Sequence, residues 1–368
     1  MQAEPATQSK KPWRLVLEDG SSFAGTLNGE AAPACGEVVF NTGMTGYVEA
    51  LSDPSYKGQI LVLTYPMVGN YGVPRELVHT GLPHPFESTG VQALGLVVAH
   101  YVERFSHHAA ACSLGEWLAG AAVPLLSGVD TRRLTRLLRE HGTMRGAILP
   151  PGDSPALPPD TLPADELVRL VARPGIDRYE AGAKRLLLID CGAKHNILRS
   201  LLQRGIGVIR VPWDYDFLAD DLGADGLFLS NGPGDPEKLP VLVERLRGYL
   251  GRGKPVLGIC LGHQLLALAA GGRTYRLPYG HRSQNQPVID HLTGRGYVTS
   301  QNHGYGVDAA RLPDGFYEWF VNANDGTNEG IRHLRRPWMS VQFHPEAYPG
   351  PVETSALFDE FVRVLHEV

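Results

Sequence analysis

The apolar and polar positions of this chain follow two different rhythms, and the change between them falls near its middle. In the first part the rhythm is that of half-buried strands. Arg14-Leu15-Val16-Leu17-Glu18-Asp19-Gly20-Ser21-Ser22-Phe23 predicts a hairpin turning on Asp-Gly, and residues 59–64 and 93–101 predict further strands. Two helices are expected beside them. One opens at the capping-box pattern Ser113-x-x-Glu116; the other covers 130–141, with Leu134, Leu137 and Leu138 on one face and Gly142 as its stop. These elements make a strand-rich α+β domain with flanking helices, without fixing the order in which its strands pair.

From residue 185 onward the apolar runs are short and continuous, at 185–190, 207–211, 226–230 and 255–259. They alternate with helical patterns near 195–204, 238–251 and 262–270. That alternation predicts an α/β fold, an open, mostly parallel sheet with helices on both faces. The stretches 297–300, 315–321 and 338–342 are strand-like and extend the sheet on one edge. Between the two rhythms, Leu149-Pro150-Pro151-Gly152-Asp153-Ser154-Pro155 and Leu157-Pro158-Pro159 form a proline-rich break, followed by a short helix over 165–172 and a turn at Arg173-Pro174-Gly175. The expected organisation is one domain over 1–149, a linker over 150–183 and a second domain over 184–368.

Composition changes this picture little. At 368 residues, 43% hydrophobic and 20% charged, the chain has the make-up of a soluble protein with two cores. A net charge of -5 argues against nucleic acid as the main partner. No apolar run approaches the roughly 20 residues of a membrane helix, and Met1 to Lys11 is too polar for a secretory leader. Cys35, Cys112, Cys191 and Cys260 show neither a close pair nor metal-type spacing, and the histidines show none either. A cytoplasmic location and no metal site are therefore expected.

Candidate chemistry gathers at the carboxyl ends of the second set of strands. Cys260 falls between the apolar run ending at Ile259 and the helix beginning at Leu261, with Gly258 and Gly262 two residues to either side. A nucleophile on a sharp strand-to-helix turn projects its reactive atom from the sheet and needs small flanking residues. The helix N-terminus adds unpaired amides, Leu261 among them, that favour a thiolate and can hold an oxyanion. His344-Pro345-Glu346 follows 84 residues after the cysteine. The proline keeps His344 extended, which places His344 and Glu346 near one face of a strand end, a base and the carboxylate that orients it. A third element, Ser230-Asn231-Gly232-Pro233-Gly234-Asp235-Pro236, follows an apolar strand, and its glycines let backbone approach a substrate and offer a second oxyanion amide. Cys191, with no base nearby, reads as a strand-end core residue. His195, His263 and His303 read as core or turn residues.

In this order along the chain, the 230–236 loop, Gly-Ile-Cys-Leu-Gly-His-Gln at 258–264 and His-Pro-Glu at 344–346 resemble the class I, triad-type glutamine amidotransferases. Gly36-Glu37-Val38-Val39-Phe40-Asn41-Thr42, Met44-Thr45-Gly46-Tyr47, Asp53-Pro54-Ser55-Tyr56, Leu63-Thr64-Tyr65-Pro66, Val129-Asp130-Thr131-Arg132 and Gly192-Ala193-Lys194-His195-Asn196-Ile197-Leu198-Arg199 resemble the glutaminase subunits of carbamoyl-phosphate synthetases. The likeness runs nearly end to end. It departs at Gly43, where a serine or another small polar residue is expected, and at Gln286, where histidine is familiar.

The resemblance implies hydrolysis of L-glutamine to glutamate and ammonia by Cys260, His344 and Glu346, with the amides of Gly232 and Leu261 on the oxyanion. It implies glutamine contacts at Ser55, Gly232, Gly234, Leu261, Gln264, Asn302, Gly304 and Tyr305. It also implies a partner, a large synthetase subunit that binds ATP and magnesium, takes up the ammonia and makes carbamoyl phosphate for pyrimidine and arginine synthesis. No cofactor is expected on this chain, since Gly251-Arg252-Gly253-Lys254-Pro255 lacks the spacing of a phosphate loop. The alternatives are the glutaminase component of another synthase, such as that of anthranilate, and a scaffold subunit without chemistry. The first resembles only residues 184–368, and the second is expected to lack the cysteine or the histidine.

Overall fold

The computed structural model of the chain describes residues 10–153 and 162–367. The Ser154–Thr161 part of the proline-rich break and the first nine residues lie outside the described residues. Two compact units form: one from residues up to Leu77 and from Thr89 to the break, the other from Val78–Ser88 together with Leu162 onward.

In the first unit seven strands close into a barrel, in the order Lys10–Leu17, Met144–Leu149, Ala34–Asn41, Gln59–Val68, Gly95–Tyr101, Leu125–Ser127 and Ser22–Asn28. The hairpin expected at its start turns at Asp19-Gly20, with Gly20 at φ +86° and Leu17 N–H donating to Ser21 O at 2.9 Å. Leu15, Leu17, Val38, Ile60 and Val97 face the barrel core and are buried. The capping box also forms, with Glu116 N–H on Ser113 Oγ at 3.1 Å and Ser113 N–H on Glu116 Oε2 at 2.7 Å, and it opens the Leu114–Gly120 helix. Closure leaves no exposed edge, which is the physical gain of bringing Met144–Leu149 back beside the first strand.

The second unit is built on a ten-stranded sheet. Its centre is the parallel α/β sheet expected from the apolar runs: Gly207–Pro212, Arg185–Asp190, Gly226–Leu229, Val256–Ile259 and Trp338–Val341 lie side by side in that order. Antiparallel strands flank it and make the whole sheet mixed. Asp177–Tyr179 pairs on one edge, and Asn328–His333, Phe316–Asn322, Thr274–Asp290 and Gly296–Val307 follow on the other.

Alternation within each strand explains the two cores. Leu186, Leu188 and Phe228 face the helices His195–Leu202 and Leu357–His366, whereas Leu187, Ile189 and Leu229 face Pro240–Leu250 and Leu261–Ala269. The stretch expected as a linker carries the Ala164–Val171 helix and the Asp177–Tyr179 strand, both belonging to the second unit. Val78–Ser88 is a strap: Leu82 joins the core beside Ile197 and Leu201, His195 N–H donates to Glu87 O at 2.8 Å, and Arg199 donates to Pro83 O.

Candidate active site

Cys260 stands where the Val256–Ile259 strand turns into the Leu261–Ala269 helix, with φ 55° and ψ -106°. This conformation is strained for a residue with a Cβ, by roughly 1–3 kcal/mol. The strand and helix hold it through Cys260 N–H on Val341 O at 2.9 Å and through His263 N–H and Gln264 N–H, both on Cys260 O. The small residues on either side are sterically required. A Cβ on Gly258 would sit 2.7 Å from Gly262 O, and one on Gly262 would sit 2.2 Å from Leu229 O. Gly262→Ala is therefore expected to cost about 3 kcal/mol, because the obstacle is backbone. Urea unfolding checks this: the midpoint falls while the slope stays unchanged.

The turn brings Sγ to 3.7 Å from Asn302 O, on the Gly296–Val307 strand, and beside the His344 imidazole. His344 follows the Trp338–Val341 strand and is fixed by its N–H on Ser300 O at 2.9 Å. Its Nδ1–H donates to Glu346 Oε1 at 2.7 Å, leaving Nε2 as the nitrogen that exchanges a proton with the thiol. Both side chains are fully buried.

Sequence reasoning missed the third charge. Lys194 Nζ lies 3.3 Å from Glu346 Oε1 and 3.3 Å from His344 Nδ1. The loop that presents it is organised by Asp190, whose Oδ1 accepts Gly192 N–H and Ala193 N–H and whose Oδ2 is paired with Arg210 at 2.7 Å. The signal was present in Gly192-Ala193-Lys194: a lysine just past a strand's carboxyl end, on the sheet edge where the cysteine also sits.

These charges set the proton. Burial and Lys194 both oppose the imidazolium, but Glu346 and the Cys260 sulfur outweigh them and push His344 up to about 10. Burial opposes the Glu346 carboxylate, and His344 with Lys194 overcomes it, holding Glu346 down to about 2. A histidine raised from 6.5 contributes stability that is complete below that value and is lost as pH rises through 10; a glutamate lowered from 4.5 contributes stability that is lost as pH falls through 2. The difference in Tm between the wild type and His344→Asn is expected to be largest between about 4.5 and 6.5 and to shrink toward pH 10. Calorimetry across pH checks it, and a difference that widens above pH 7 would refute the charge assignment.

Around this centre the second unit gathers most of the other residues singled out in the sequence. Gly232 lies against the helix start: a Cβ there would be 2.1 Å from Cys191 O and 2.9 Å from Leu261 Cδ2. Leu261, first in its helix, has no intrahelical acceptor for its N–H. Gly234 takes φ +92° and packs on Ala164. Gln264 uses its amide donors on Tyr305 O at 2.9 Å and Gln342 Oε1 at 3.0 Å, so what it offers a ligand is its carbonyl oxygen. Asn302, Gly304 and Tyr305 share the strand whose carbonyl meets the thiol. Ser55 belongs to the first unit, in a short turn where its N–H is tied to Asp53 Oδ1 at 2.9 Å.

The remaining sequence readings find local explanations. Cys191 is buried, which pushes its thiol well up. His263 and His195 are held down to about 3 and about 4 by burial. Gly43 N–H donates to Asn41 Oδ1, and Gln286 Oε1 accepts from Asn324 Nδ2 at 3.2 Å.

Comparison with known proteins covers both units. Residues 15–148 match the family "Carbamoyl-phosphate synthase small chain, CPSase domain", and residues 187–364 match "Glutamine amidotransferase class-I". The carbamoyl phosphate synthase arginine-specific small chain of Aspergillus fumigatus is 46% identical over 355 residues, covering 95% of this chain and 78% of that one. The corresponding small chain of Chaetomium globosum is 46% identical over 358 residues, 95% of this chain and 77% of that one. The multifunctional protein pyr-3 of Neurospora crassa is 46% identical over 386 residues. The match takes in 95% of this chain but only 21% of pyr-3, so the chain spans about a fifth of that relative. With two relatives matched over most of both lengths and both family domains present in order, the chain belongs to the family of carbamoyl phosphate synthase small chains.

Proposed function

We propose that this chain is the glutamine-hydrolysing subunit of a carbamoyl-phosphate synthetase. The observation that carries the reading is the Cys260 elbow beside an imidazole whose far nitrogen is held by Glu346 at 2.7 Å. Cys260 Sγ attacks the carboxamide carbon of L-glutamine while the amides of Gly232 and Leu261 take the developing oxyanion. His344 Nε2–H delivers its proton to the departing nitrogen, which leaves as ammonia, and a γ-glutamyl thioester remains on sulfur. Water then gives its proton to His344 as it attacks the thioester, releasing glutamate and restoring the thiol. In this reading Gln264 Oε1 accepts from the substrate's ammonium, and Gly234, Asn302, Gly304 and Tyr305 belong to the expected binding set.

The ammonia goes to a large synthetase polypeptide that holds ATP and magnesium, where its nitrogen would be joined to ATP-activated bicarbonate and a phosphoryl group from ATP would complete carbamoyl phosphate. The family's two forms, separate small chains and multifunctional proteins, support a partner that is either another subunit or a fused segment. A cytoplasmic location is part of this reading; all four cysteines are free, which suits a reducing compartment, and no helix among the described residues is long and apolar enough to cross a membrane.

The test is glutamate release and carbamoyl phosphate formation by the purified chain, with and without the large subunit, bicarbonate and ATP. Cysteine-dependent glutamate release that rises with the partner and is matched by carbamoyl phosphate is the expected result. Partner binding without glutamate release under any condition would overturn it.

A further inference from the structure

The antiparallel edge of the second unit carries a cluster that glutamine hydrolysis does not use. His281 and His303 are directly opposed across the Thr274–Asp290 and Gly296–Val307 strands, with rings edge to face at 4.9 Å. Glu329, on the Asn328–His333 strand, reaches both: Oε1 is 3.4 Å from His281 Nδ1 and 3.9 Å from His303 Nε2. All three are buried, and their inward atoms lie within 4.8 Å of one another.

The hydrogen bonds around the cluster decide what those inward atoms are. His281 Nε2 faces Asp325 Oδ2 at 2.8 Å, and His303 Nδ1 faces Tyr305 O at 2.8 Å. Neither oxygen can donate, so each neutral ring turns its one N–H outward and its lone pair inward. Gln301 adds another acceptor. Thr299 Oγ1 donates to Gln286 O at 2.9 Å and so accepts from Gln301 Nε2 at 3.1 Å, which aims Gln301 Oε1 at His303 Nε2, 3.2 Å away. Two imidazole lone pairs, a carboxylate and an amide oxygen thus converge in a buried space. His281 Nδ1 and Glu329 Oε2 have no hydrogen-bond partner.

We propose that His281, His303 and Glu329, with Gln301 Oε1 as a fourth donor, bind a divalent transition-metal ion of the zinc class. Zinc takes this nitrogen and oxygen donor set, and bonds of about 2.0–2.1 Å put tetrahedral donors roughly 3.4 Å apart, near the 3.4 Å between Glu329 Oε1 and His281 Nδ1 and the 3.2 Å between Gln301 Oε1 and His303 Nε2. The outer bonds to Asp325 and Tyr305 O are those that orient metal-bound imidazoles. Glu329 and Asp325 together balance a divalent charge, and Asp325, 43% exposed, links the cluster to solvent. Gln301 and His303 alternate with Asn302 and Gly304 along one strand, so the metal fixes from behind the backbone whose Asn302 carbonyl meets Cys260 Sγ.

The test is zinc binding by the full chain after chelator dialysis, measured by competition with a chromophoric chelator, with cobalt(II) as a spectroscopic probe. One zinc per chain is expected, with a strong visible cobalt band of tetrahedral type and a Tm that rises on zinc addition. Glu329→Gln is expected to weaken zinc by about 100-fold. Asp325→Asn, which leaves the inner donors in place and guards against a variant that fails to fold, is expected to weaken it by about 10-fold. His108→Asn, at the exposed His107–His108 pair, is expected to change nothing. Binding below one ion per chain, binding unaffected by Glu329→Gln, or binding lost in His108→Asn instead would overturn the proposal.

Discussion

Cys260→Ser is expected to slow glutamine hydrolysis by ~10^4-fold or more, toward the rate left by binding and oxyanion contacts alone. The serine fits the elbow, because what holds this position is backbone: its N–H on Val341 O and its carbonyl under His263 and Gln264. Folding should therefore survive while the nucleophile is lost. A hydroxyl is far harder to ionise than a thiol, and an imidazole that Glu346 favours in its protonated form is a poor place to assemble a serine's base. Single-turnover glutamate release, together with an unchanged Tm, checks the prediction. Alkylation by iodoacetamide supplies the complement: wild-type chain should lose activity in step with label at Cys260, with Cys191 protected by burial. Activity in the serine variant within tenfold of wild type would remove Cys260 from the chemistry.

The second large effect concerns a charge balance. In Glu346→Gln the carboxylate that keeps His344 protonated is gone, while Lys194 stays 3.3 Å from Nδ1. The imidazole then loses its hold on a proton and on its orientation, and kcat is expected to fall roughly 10^2- to 10^4-fold. Because Lys194 is left without its carboxylate partner beside the ring, Glu346→Gln with Lys194→Met should be less impaired than Glu346→Gln alone. That is a coupling between neighbours rather than a sum of losses. The pH profile separates this from a folding defect: in Glu346→Gln the ionisation assigned to His344 moves downward, and adding Lys194→Met moves it part of the way back. Strictly additive losses with an unmoved profile would show that Lys194 has no electrostatic part in the site.

The site was more legible in the sequence than the fold around it. Cys260, His344 and Glu346 were readable because each lies on a short motif whose local geometry is dictated by its own residues: two glycines that clear a bend, and a proline that holds the preceding histidine extended. The parallel strands were readable for a similar reason, since a strand buried on both faces is apolar throughout. The Thr274–Asp290 strand was not. It is 17 residues of largely polar sequence, interrupted by Pro278, Gly280 and Pro287, and its pairing slips in register between Arg276 and His281 and again between Ser283 and Gln286. No period of two survives such bulges. Lys194 was visible as a residue but not as a charge in the site, because its role depends on a loop folded by Asp190 and Arg210. The barrel's closing pair joins Lys10–Leu17 to Met144–Leu149, a long-range choice on which local pattern is silent.

The strap at Val78–Ser88 bears on how the molecule is made. Phe86 meets His195 across 109 residues of sequence. At translation rates of about 5–20 residues per second, that interval corresponds to roughly 5–20 s between the emergence of the two segments from the ribosome. For that time Leu82, destined for the core beside Ile197 and Leu201, is without the segment that buries it. The second unit cannot finish folding from its own contiguous stretch; it has to recover a piece of chain synthesised before the barrel was closed. A nascent chain stalled beyond the barrel therefore carries an apolar hook in search of a core, and chaperone engagement should be heaviest in that window.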